Sequence, residues 1–159
     1  MKNIFQTGML VASIGLLVAA GAMSVAAEDS KEALIKARQD FMEAQADDVK
    51  AVAAYAKGEG SKESALAAAN DLAGRGPKIA ALFVAGTSAT DYPGKSFAKP
   101  ELWTEMDKAK AAWSALQGEE VKLVAVIKDG DQKAVGDQLG VMGKAGCGSC
   151  HTSYRIKKP

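Results

Sequence analysis

The stretch SKEALIKARQDFMEAQADDVKAVAAYAK, residues 30–57, decides how this chain folds. Ile35, Met42, Val49 and Ala56 recur every seven residues, with Leu34, Phe41 and Val52 beside them, so one face is apolar along the whole length. Lys, Glu, Asp and Gln fill the other face, no proline intervenes, and the alanines favour helix further. The spacing predicts a helix over residues 30–57. Gly58 and Gly60 should stop it, because glycine accepts the left-handed conformation in which helices end.

The rest of the chain reads the same way. A second helix is expected from near Lys62 to about Gly74, broken or kinked at Gly76-Pro77, with a short apolar turn from Ile79 to Val84 continuing its line. Residues 86–99, marked by Gly86, Asp91, Pro93 and Gly94, form one long loop. Pro100 suits the first position of a helical turn. Thr104, three residues before Asp107, reads as the capping box of a third helix running to about Lys128. Asp129-Gly130-Asp131 makes a tight turn, with Asp131 as N-cap of a fourth helix. That helix carries the cysteines and should end among Lys157 and Lys158, since basic residues favour a helix C-terminus. No segment alternates apolar and polar residues over strand length. Four helices with short links between the first and second, and the third and fourth, predict an all-α, antiparallel four-helix bundle.

The 159 residues, 48% hydrophobic and 25% charged, suit one domain. Residues 1–27 stand apart. Lys2 precedes an apolar run from Met9 to Ala20, and small residues lead to Val25-Ala26-Ala27, the layout of a secretory signal peptide cut after Ala27. A membrane anchor is the competing reading, disfavoured by the short apolar core and the lack of stop-transfer charges. The domain is then residues 28–159, soluble and exported, periplasmic in a bacterium. Loss of Lys2 with the leader leaves 19 basic against 19 acidic residues. A neutral domain gives no reason to expect nucleic acid.

The chemistry lies at Cys147-Gly-Ser-Cys150-His151, which holds both cysteines and the one histidine. C-x-x-C-H is the signature of c-type haem attachment. The two thiols add to the vinyl groups of one porphyrin edge, and the adjacent histidine sits beneath the iron as its proximal ligand. On a helix, residues three and four apart share a face, so all three side chains can meet one ring. A structural disulfide, a redox dithiol and a zinc site are the rival readings. The redox dithiol lacks its βαβ setting, and a zinc site would need about four N or S ligands where three are present.

Few residues follow His151, so a sixth iron ligand must come from upstream, and methionine is the natural donor once histidine is used. Of the six methionines, Met1, Met9 and Met23 leave with the leader. Met142 shares a helix with His151 and cannot reach the other haem face. Met106 falls in the first turn of the third helix, near the end of the bundle. Met42, on the buried seam, is left as the candidate, with ordinary core packing as its alternative. Arg38 lies one turn before Met42 on the same face. An arginine beside an apolar seam needs an anionic partner, and a haem propionate would supply one; a solvated surface arginine is the alternative.

At these residues the chain resembles the class II cytochromes c, the family of the cytochromes c′. Lys36-Ala37-Arg38-Gln39 with Met42 is similar to the family's front motif. Gly86-Thr87-Ser88 and Ala98-Lys99-Pro100-Glu101-Leu102-Trp103 are similar to its central loop, and Gly140, Gly143, Cys147, Cys150, His151, Tyr154 and Arg155 to its attachment helix. The resemblance implies one covalently bound haem c per chain, held by Cys147, Cys150 and His151. It implies that Arg38 touches a propionate, that Tyr154 packs nearby, that Arg155 sits by the exposed haem edge and that position 42 faces the open side of the iron. Low-spin members bind iron through methionine there. High-spin cytochromes c′ keep a five-coordinate iron that binds nitric oxide or carbon monoxide, and some of them also carry methionine at this position.

Gly136, Gly140 and Gly143 suggest either close backbone approach or tolerated small residues. Trp103 and Trp113 suggest pocket walls or ordinary core. Lys144, Arg155, Lys157 and Lys158 suggest a basic rim for an acidic redox partner or a solvated helix end. The reading is a non-enzymatic electron-transfer cytochrome c with redox partner proteins, no stable membrane anchor and a homodimer allowed by the resemblance. A gas-binding five-coordinate cytochrome c′ is the alternative, and a haem-free bundle the third.

Overall fold

The computed structural model describes residues 18–157, with side chains from residue 30 onward. Residues 1–17, most of the expected leader, lie outside the described residues, as does Lys158. Helix α1 spans Val18–Ala56 and so begins before the expected start at residue 30, through an alanine-rich stretch without proline. Its buried face is centred on Ile35, Arg38, Gln45, Val52 and Tyr55. Of the expected seam only Ile35 and Val52 are fully buried; Leu34, Phe41, Met42, Val49 and Ala56 are half-buried, and the polar Arg38 and Gln45 lie on the buried face instead.

Helix α2 spans Lys62–Arg75, with the Ser61 hydroxyl accepting from the Ser64 N–H as its N-cap. The expected break follows at once, since Gly76–Leu82 winds as a 3-10 helix with Pro77 near its start. After the loop comes a single helical turn, α3 (Glu101–Thr104), with Pro100 as its N-cap residue. The chain bends at Glu105 (φ −115°, ψ 33°) before α4, Met106–Asp129. The expected capping box is not formed. Glu105, not Thr104, holds the N-cap position without a side-chain bond, and the Thr104 hydroxyl donates to Glu101 O at 3.0 Å. Threonine within a helical turn bonds back to its own turn, which removes it as a cap for the next helix.

Gly130 closes α4 in the left-handed conformation (φ 89°), and Asp131 caps α5 (Gln132–Val141) by accepting from the N–H groups of Lys133 and Ala134. The fourth helix is not uniformly α. Residues Met142–Gly148 form a π-helical turn, and α6 (Ser149–Tyr154) then ends the rod. Arg155 is extended and bridges Ala98, so the helix stops before the expected lysines.

α1 packs on α2 and α5, and α4 packs on α2, α5 and the π turn, which completes an antiparallel four-helix bundle. The core has two parts. Val52, Leu72, Leu123, Ile127, Val135 and Met142 fill the body of the bundle. Ile79, Leu102, Ala109, Trp113 and Tyr154 form a second cluster toward the loop. Each large apolar side chain so buried contributes about 1.5–3 kcal/mol. Among the described residues no helix is long and apolar enough to cross a membrane.

Candidate functional site

The loop 86–99 closes over the end of α6. Lys99 N–H donates to Tyr154 O at 2.8 Å and Ile156 N–H to Phe97 O at 3.0 Å, while Gln39 of α1 donates to Lys95 O at 2.6 Å. Between α1, the segment after Gly76, this loop and α6 opens a cavity of about 320 Å³, within the size range of cofactor sites. Its walls include Met42, Phe83, Phe97, Leu102 and Ile156, with Arg38, Cys150, His151, Tyr154 and Arg155 around them.

Arg38 is the most constrained of these groups. It is only 6% exposed, and its guanidinium donates to Leu82 O (3.3 Å), Thr87 Oγ1 (3.1 Å), Thr87 O (3.0 Å) and Ser96 Oγ (2.9 Å). It also lies over the Phe83 ring, 5.0 Å from the centroid. All these partners are neutral. Burial lowers its pKa from the usual arginine value, and no carboxylate among the described residues offsets the charge. A buried cation at the wall of an apolar cavity fits an anionic ligand group.

The other reactive groups are held neutral. Burial lowers the pKa of His151, with the charge of Arg155 acting in the same direction, so the ring nitrogens keep a lone pair for a metal. Burial pushes both cysteine thiols up, and for Cys147 the carboxylate of Glu120 adds to the effect. Tyr154 donates to Glu105 Oε2 at 2.8 Å, tying α6 to the start of α4. The cavity thus offers one thiol, Cys150, a neutral imidazole, His151, apolar walls and a buried guanidinium, which fit part of what attachment of a haem c requires.

The structure thus brings Arg38, Met42, Cys150, His151, Tyr154 and Arg155 to one cavity. It does not bring Cys147 there: that side chain is half-buried in the π turn and packs against the body of the bundle. Trp103 and Trp113 belong to the core. Trp103 Nε1 donates to Phe83 O at 3.2 Å, and Trp113 stacks on Phe83, centroids 5.1 Å apart. A side chain on Gly140 or Gly143 would meet nothing within 4 Å, and one on Gly136 would touch only Ala56 at 3.7 Å. The close approach is instead at Gly146, where a Cβ would lie 2.6 Å from Leu116 Cδ1. Lys144, Arg155 and Lys157 are exposed.

Sequence reasoning missed Phe83 and Phe97, because isolated aromatics flanking a loop carry no periodic signal. It also missed Glu120, although the 3.6-residue period places it on the face of Trp113, Leu116, Leu123 and Ile127.

Fold and site together define a class: a four-helix bundle whose last helix presents a c-type haem attachment sequence beside a cofactor cavity. The family model of cytochrome c′ matches residues 33–155, and the chain belongs to that family. Its cofactor is haem c, one per chain, covalently attached. A cytochrome c-556 of Agrobacterium tumefaciens (strain B2A) is 33% identical over 87 residues, covering 50% of this chain and 70% of the relative. A cytochrome c′ of Alcaligenes xylosoxydans xylosoxydans is 36% identical over 78 residues, covering 49% and 56%. Among solved structures, a cytochrome c′ described as having an unusual ligand-controlled dimer dissociation superposes with a TM-score of 0.73 at 30% identity, covering 80% of this chain and 97% of that one.

Proposed function

We propose that the chain is a periplasmic electron carrier rather than an enzyme, exported by the leader at residues 1–27, with residues 28–159 as the working domain. Cys147 and Cys150 hold the haem as thioethers, His151 is the proximal iron ligand and Met42 the sixth. Arg38 binds a propionate, and Arg155 lies by the haem edge. When bound, haem iron cycles between ferric and ferrous and so carries one electron. The observation that carries the reading is the convergence of Met42 from α1 and His151 from α6 on one cavity, with buried Arg38 one turn from Met42. The neutral state of His151 leaves it ready to ligate, and Phe83, Phe97 and Leu102 give the cavity apolar walls. The exposed Lys144, Arg155 and Lys157 suit an acidic redox partner.

A second reading is a five-coordinate, high-spin cytochrome c′ that binds nitric oxide or carbon monoxide. It is favoured by the likeness to a cytochrome c′ whose dimer responds to ligand; a homodimer goes with it. The optical spectrum separates the two. Met42 ligation gives a ferric methionine–iron charge-transfer band and a sharp low-spin ferrous α band, and Met42→Ala converts them to high-spin bands. A high-spin wild-type spectrum with ready carbon monoxide binding, or a spectrum unchanged in the variant, refutes Met42 as ligand.

A further inference from the structure

Glu120 has no part in the cavity, yet it is 1% exposed in the middle of the bundle. Neither of its carboxylate oxygens has a hydrogen-bond partner. Trp113, Leu116, Leu123 and Ile127, all buried, share its face of α4. The carboxylate is pressed against the backbone at Gly76, where an added Cβ would lie 2.6 Å from Oε2. Gly76 caps the C-terminal end of α2, the negative pole of a helix, and that end disfavours a second negative charge.

The surrounding charges do not neutralise it. From α2, Arg75 attracts it, but Arg75 is itself paired with Asp48 of α1. From the π turn, Cys147 lies within its electrostatic reach. On α4, Glu119 and Lys122 pair with each other, and on α5 so do Lys133 and Asp137. From α6, Tyr154 bonds to Glu105, and the charge acting on His151 is that of Arg155. The 3-10 turn meets Glu120 through Gly76, which has no side chain. The balance of these effects, dominated by burial, pushes the carboxyl up to about 7.

A buried carboxyl that changes charge near neutral pH, within the field of a haem-attachment cysteine, responds to charge on the haem. We propose that Glu120 is the proton site linked to electron uptake by the haem attached through Cys147. The inference rests on the attachment reading given above. As a one-electron donor protein reduces the iron from ferric to ferrous, the Glu120 carboxylate takes one proton from solvent and becomes a carboxylic acid. On reoxidation the electron leaves to an acceptor protein and the proton returns to solvent. The only bond made or broken is the carboxyl O–H. A carboxyl pKa that differs by about one unit between the ferric and ferrous forms shifts this equilibrium about tenfold.

The test is the midpoint potential of the haem-loaded protein against pH, from about 5 to 9, for wild type and Glu120→Gln. Wild type should lose potential as pH rises through neutrality, by about a tenfold change in the ferric/ferrous equilibrium, or about 59 mV for a one-electron couple. Glu120→Gln should keep the low-pH potential throughout. An equal slope in both proteins overturns the proposal. Redox-difference infrared spectra of wild type at neutral pH give a readout free of any variant: a carboxylic-acid carbonyl band should grow on reduction, and its absence also overturns the proposal. Pyridine haemochrome content keeps the two readings apart. A preparation without the c-type signature rejects attachment itself, whereas full haem content with a flat wild-type profile rejects only the role of Glu120.

Discussion

Replacing Gly146 with alanine tests the contact that sets the attachment helix against α4. The added Cβ would lie 2.6 Å from Leu116 Cδ1 and 3.0 Å from Leu116 Cα. The leucine tip could rotate, but the Cα is backbone, so the π turn and α4 must move apart. Overpacking of this kind costs about 1–3 kcal/mol, and a backbone obstacle puts it near the upper end. Alanine recovers about 1 kcal/mol of helix propensity. The net loss is about 2 kcal/mol, roughly an 8 °C fall in Tm for a domain of this size. Gly140→Ala is the control. It has no neighbour within 4 Å, so it should gain stability by about the propensity difference. Thermal and urea denaturation of the haem-loaded proteins, followed by far-ultraviolet circular dichroism, gives both values. A Gly146→Ala protein as stable as wild type refutes the tight approach at Leu116.

Two other outcomes follow from buried charge. The Glu120 carboxyl is pushed up to about 7 in the folded chain, so between its ordinary value and 7 the folded state binds more protons than the unfolded state. The stabilisation is complete below the unfolded pKa and is lost as pH rises through the folded one, by about 3–4 kcal/mol in all. Urea midpoints at about pH 5 and pH 8 should differ in wild type and converge in Glu120→Gln; parallel profiles would count against the burial of Glu120. Lysine at position 38 cannot fork to Thr87 and Ser96 as Arg38 does. Losing one charge-assisted bond, about 1.5–3 kcal/mol, should speed amide exchange in the loop at least tenfold. Ala89, whose N–H donates to Ala98 O at 2.7 Å, is the reporter; unchanged exchange there would show that Arg38 does not anchor the loop.

The bundle was legible because helix signals are local. Asp131 and the glycines at 58 and 130 each act within a few residues of themselves, and the structure places helix ends at them. The Thr104 capping box failed for an equally local reason, since the hydroxyl found a nearer acceptor in Glu101 O. The π turn was not legible. It sits where the fourth helix meets Leu116, and α-helical spacing alone carries no record of that contact.

The sequence by itself determined the four helices, the family likeness and the residue types needed for haem attachment, because periodicity, caps and a contiguous C-x-x-C-H motif are properties of neighbouring residues. The tertiary structure decided which of those residues meet. It put Arg38 under a loop some fifty residues away, with only neutral partners. It gathered Met42 and His151 at one cavity and turned Cys147 toward the body of the bundle. It left Glu120 buried and unpartnered on an apolar face. The physical reason is desolvation: the charge of a polar residue on a helix face is costly or harmless according to what packs over it, and that is set by the other helices.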